Sequence, residues 1–72
     1  MKFKLMNAEK IILDEISNKK LAQNDIAKTY ALIIQQGLPV NWQSINQAIV
    51  DRWSLAELRK IKELAWSGEC FK

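Results

Sequence analysis

Apolar residues recur at intervals of three and four along most of this chain, the period of a helix with one buried face. The clearest run is Leu55, Leu58, Ile61, Leu64 and Ala65. Arg59, Lys60 and Glu63 fall opposite it, with Lys62 on a flank. Ser54 and Glu57 stand before this run in the order Ser-x-x-Glu, the pattern of a capping box, and Trp53 and Leu58 have the spacing of a hydrophobic staple. Gly68 offers the left-handed position that ends a helix. The pattern predicts a helix over 55–66.

The rest of the chain repeats this grammar. Asn7 is a cap, with Met6 and Ile11 as its staple pair, and Ala8, Ile11, Ile12 and Ile16 make one face. Glu9 in the first turn suits the helix dipole, and with Lys10, Asp14 and Glu15 it falls on the solvated side. A helix is expected over 8–17. Ser17-Asn18-Lys19-Lys20 interrupts the pattern, because serine and asparagine compete for backbone hydrogen bonds. A second helix is expected over 20–36, with Ala22, Ile26, Tyr30, Ile33 and Ile34 inward and Gly37-Leu38-Pro39 as its stop. Asn41 caps a third helix over 42–52, with Val40 and Ile45 stapling it. Trp42, Ile45, Ala48 and Ile49 face its core. Only Trp53 and Ser54 separate this helix from the next, so the two form a tight corner.

These elements give a compact all-α bundle of three to four short helices in a single domain over 1–72. Residues 1–6, Met1-Lys2-Phe3-Lys4-Leu5-Met6, alternate charged and apolar positions; with no strand to pair with, they are expected as a flexible or extended arm. Residues 69–72 are expected as a frayed tail.

Length and composition narrow the function. With 72 residues, the domain leaves a large share of its surface in water and is marginal alone. There is one cysteine, Cys70, and no histidine. An internal disulfide is therefore excluded, and a reducing compartment is indicated. No apolar run reaches the roughly 18 residues of a membrane span, and the start lacks an apolar region long enough for a signal peptide. A cytoplasmic location is expected, with no membrane partner.

Catalytic arrangements fail for want of residues. Ser-His-Asp, Cys-His and Cys/His zinc sets need histidine or paired cysteine. The two glycines build neither a dinucleotide fingerprint nor a phosphate loop. Asp14 and Glu15 point in different directions on a helix, and Asp51 and Glu57 read as surface groups. No enzyme activity, cofactor, metal or small-molecule substrate is expected.

Two binding readings remain. The first is protein–protein interaction, as a homodimer or as an adaptor docked on a larger partner. Leu13, Leu32, Leu38 and Val50 sit off the main stripes, and so small a core leaves apolar area over. Tryptophan and arginine anchor interfaces, which makes Trp53 and Arg52 at the corner, with Val50 and Leu38, the candidate contact residues. The alternative is DNA binding, with 42–52 and 55–66 acting as a helix-turn-helix-like corner. Arg59 and Lys60 would then face the groove, Arg52 and Lys62 would hold phosphates, and Gln43, Asn46 and Gln47 would read base edges. The net charge of +3 permits this reading without requiring it, while Glu57 and Glu63 beside the reading face oppose it. Leu21-Ala22-Gln23-Asn24-Asp25-Ile26-Ala27-Lys28 resembles the first helix of helix-turn-helix repressors. The resemblance stops where Leu32-Ile33-Ile34-Gln35-Gln36 continues the helix instead of turning.

Overall fold

A computed structural model describes residues 7–71. The expected arm at 1–6 and the last residue lie outside that range. Four α-helices follow one another: α1 Ala8–Ser17, α2 Gln23–Gln36, α3 Trp42–Arg52 and α4 Leu55–Ser67. A 3-10 turn, Glu69–Phe71, closes the chain. Among the described residues there is no strand.

The three expected asparagine and serine caps are in place. Asn7 Oδ1 accepts from Lys10 N at 3.2 Å, Asn41 Oδ1 from Ser44 N at 3.3 Å and Ser54 Oγ from Glu57 N at 3.2 Å. Each satisfies an amide that has no partner within its helix. Ser54→Ala should therefore cost about 1 kcal/mol. Thermal unfolding checks this, and an unchanged midpoint would contradict the assignment of Ser54 as a stabilising cap.

The expected capping box at Ser54 is only half formed. Glu57 does not turn back to Ser54; its Oε2 accepts from Gln23 Nε2 at 2.8 Å, tying the start of α4 to the start of α2. Glu9 also departs from a purely solvated role. Its Oε1 accepts from Asn41 N at 2.6 Å, so α1 is fastened to the cap of α3.

The second helix begins at Gln23, not at 20. Asn18 explains the delay: its Oδ1 accepts from Lys20 N at 3.0 Å and its carbonyl from Leu21 N at 3.0 Å, which folds 18–21 into a turn. Asp25 then reaches back to Ala22 N at 3.0 Å and fixes the start of α2 there. Ala22, expected inward, is the exposed cap residue. At the other end Gly37 has φ of +62°, and Leu38 N bonds to Ile33 O at 3.1 Å. That is the hydrogen bond of a Schellman ending, which glycine allows because it lacks Cβ.

The largest fully buried side chains are almost all isoleucine. Ile12 and Ile16 of α1, Ile26 and Ile33 of α2, Ile45 and Ile49 of α3 and Ile61 of α4 are all buried. The alanines Ala27 and Ala31 lie among them. The tail adds to this core. Cys70 is 0% exposed, and its carbonyl accepts from Asn24 Nδ2 at 3.4 Å. The expected fraying at 69–72 is therefore not seen over 69–71. Gly68, at φ of +79°, reverses the chain and returns a small apolar thiol to the bundle. Periodicity cannot reveal this, since it requires knowing where α4 ends in space.

Candidate docking groove

The corner at 52–54 was the expected contact surface, and its chemistry is turned inward. Arg52 Nη1 donates to Ile16 O at 2.6 Å, and Nη2 donates to Leu21 O at 2.9 Å. One guanidinium thus holds a carbonyl from the last turn of α1 and a carbonyl just before α2. Its carbon lies 4.0 Å from the centroid of the Trp53 ring, within cation–π range. Arg52 is spent on closing the α1–α2 loop, and Trp53 is covered by it. Val50 is half-buried against the core. Of the four residues expected at a protein interface, Leu38 is the one that lines the groove described below.

The residues proposed for DNA also divide. Asn46 Oδ1 accepts from Tyr30 Oη at 2.8 Å, and Gln47 Nε2 donates to Asp51 Oδ1 at 2.8 Å. Both amides therefore already have partners within the fold, as Arg52 does. Gln43, Arg59, Lys60 and Lys62 are exposed.

A different surface stands out. The last turns of α2, the segment Gly37–Leu38, the first turns of α3 and the second half of α4 enclose an open groove of about 460 Å³. Its floor is aromatic: the rings of Tyr30 and Trp42 have centroids 4.6 Å apart and are inclined at 44°. Ile33, Ile34 and Leu38 form one wall. Lys62 and Trp66 form the α4 side, and Lys62 is the one charged residue of the lining. Trp66 is 68% exposed, which is costly for the largest apolar side chain. A second hollow of about 430 Å³ lies against Leu13, Ala48 and Arg52, with Lys19 and Asp51 on its edge. It carries no exposed aromatic anchor.

Among the described residues, the other exposed large apolar side chains are Leu55, at 54%, and Phe71, at 49%. Leu55 was expected in the buried stripe. On a helix of 3.6 residues per turn, positions 55, 59, 62 and 66 fall within an arc of about 60°. Leu55 therefore belongs with Arg59, Lys62 and Trp66 on the outer face of α4, while Leu58, Ile61 and Ala65 form its buried face. The same wheel, drawn from sequence, separates Trp66 from the buried face. That is the signal by which the groove's rim could have been found.

Tyr30 is the floor's titratable group. Burial pushes its hydroxyl above the ordinary value of 10.0. It is the only tyrosine in the chain, so absorbance at alkaline pH reads it alone. The midpoint should lie above 10. The folded state then holds its proton more tightly than the unfolded state. This contribution to stability is complete below pH 10 and is lost as pH rises through the folded value. A midpoint at or below 10 would contradict a buried floor.

Among the described residues, no helix is long and apolar enough to cross a membrane, and no group of three or more His, Cys, Asp or Glu side chains could hold a metal ion. Compared with protein-family models, curated proteins and solved structures, the chain matches none.

Proposed function

We infer that this protein is a non-catalytic interaction module that docks another protein through the groove between α2, α3 and α4. The observation that carries the reading is Trp66, exposed on the rim of an apolar, aromatic-floored groove. An exposed tryptophan beside a pocket is the type of anchor that dominates interface energies. The shape also suits it: one or two apolar side chains of a partner fit a groove of about 460 Å³. The cytoplasm is the proposed location, where the single thiol stays reduced.

The DNA reading is weaker, because Arg52, Asn46 and Gln47 are held by internal hydrogen bonds. That leaves Gln43, Arg59, Lys60 and Lys62 as the exposed candidates, without the corner arginine and the two amides.

The test compares wild-type and Trp66→Ser chains as baits, followed by titration with the recovered partner in purified form. The partner should bind the variant at least about tenfold more weakly, while the unfolding midpoints of the two chains agree. Equal binding by both chains would overturn the assignment of the groove.

A further inference from the structure

We propose that the groove takes an acidic peptide segment, with a bulky apolar side chain on the Tyr30–Trp42 floor and carboxylates on Arg59 and Lys62. This rests on the docking reading above and names the chemistry of the partner.

Leu55, Arg59, Lys62 and Trp66 line one exposed face of α4 over about 16 Å, at 1.5 Å per residue. Its two ends are apolar and its middle is cationic. Among the described residues, neither Arg59 nor Lys62 has a carboxylate within ion-pair distance. The groove lining contains no acid. Glu63, the nearest acid along α4, is the i+4 neighbour of Arg59 and lies about 100° from Lys62 on the helix wheel, so it flanks the Arg59 edge of the face and not the Lys62 edge. A ligand seated on the floor therefore meets Lys62 on its α4 side with no acid in the lining, and a segment that runs on along α4 reaches Arg59. Carboxylates answer that charge, and they also orient the incoming segment.

The same stripe disfavours a second copy of this chain. A two-fold contact places the same patch against itself. Arg59 and Lys62 would then face their own equivalents. Nucleic acid is disfavoured by the walls. Ile33, Ile34 and Leu38 suit an aliphatic or aromatic side chain, whereas strand binding asks for a cationic track with several phosphate contacts.

The probes are four fluorescein-labelled molecules: a peptide of twelve residues alternating Glu with Leu and Trp; its Gln-for-Glu version; its Lys-for-Glu version; and single-stranded dT12. Each is titrated by anisotropy against the wild type, the Arg59→Glu/Lys62→Glu double variant and Trp66→Ala. All three altered positions are exposed. Trp66→Gln serves as a second truncation, and unfolding midpoints are measured alongside.

The acidic peptide should bind best. It should weaken at least about tenfold with either set of substitutions and with rising salt, and the Lys version should not bind. If the Gln version binds as tightly as the acidic one, depends on Trp66 and ignores charge reversal, the acidic partner is refuted and the docking groove stands. If no peptide shows Trp66-dependent binding, or if dT12 binds more tightly than the acidic peptide, both readings fail.

Discussion

Ile61→Ala should destabilise the fold by about 2–5 kcal/mol. Ile61 is 0% exposed, and α2 and α4 form the most extensive helix pair of the bundle. Removing its outer carbons loses their transfer free energy and leaves a cavity among isoleucines that are themselves fully buried. Their branched side chains have few rotamers with which to fill it. A domain of this length has a total stability of roughly 4–11 kcal/mol at typical values per residue. One such cavity takes a large share of that, and the melting midpoint should fall by about 10 °C or more. Ile61→Val, which removes less, should cost about 0.5–1.5 kcal/mol. Urea unfolding of both variants checks the pair. A loss below about 1 kcal/mol for the alanine variant would mean that Ile61 does not fill the core.

Arg52→Ala should cost about 2–3 kcal/mol, more than any ordinary surface substitution. The loss has two parts. Two charge-assisted hydrogen bonds to Ile16 O and Leu21 O disappear. The Trp53 face also loses its cation, worth about 0.5–1 kcal/mol at an exposed site. Arg52→Lys should recover only part of this, because an ammonium cannot reproduce the planar fork that spans both carbonyls. Hydrogen exchange separates this clasp from a general loss of stability. The amides of 18–21 should open first in Arg52→Ala, since the guanidinium bridges the two ends of that turn. Equal stability of Arg52→Ala and wild type would contradict the clasp. A lysine variant as stable as arginine would contradict the fork.

Arg52 also shows where sequence reasoning stops. Its charge, its place beside a tryptophan and its position at a corner all pointed outward. What turns it inward is a pair of backbone carbonyls 31 and 36 positions away. Local pattern contains no record of such a pair. The same holds for Glu57, whose partner Gln23 lies 34 positions away, and for Asn46, which Tyr30 claims.

The helices themselves were legible, since their causes are local. Asn7, Asn41 and Ser54 cap as their positions require, and Gly37 ends α2 as its place before Leu38-Pro39 implies. α2 starts later than its apolar pattern implies because Asn18 organises a longer turn than its own residue type announces. The groove was half legible. The pattern marks Leu38 and Lys62 as surface candidates, while Tyr30 and Trp42 fall on core stripes and serve both the core and the groove floor. Trp66 looks like another helix-end tryptophan in the linear sequence, and only its angular position on α4 separates it from the buried face.

The proposed docking surface surrounds Trp66. The three tryptophans make this directly measurable. Their indole N–H signals in a nitrogen-15 correlation spectrum report the groove rim at Trp66, the groove floor at Trp42 and the corner at the far end of α3 at Trp53. On titration with the recovered partner, the Trp66 and Trp42 signals should shift, with the amides of Ile34 and Leu38, while Trp53 stays in place. Shifts at Trp53 with Trp66 and Trp42 unmoved would place the contact at the corner, and the account of the groove would be wrong.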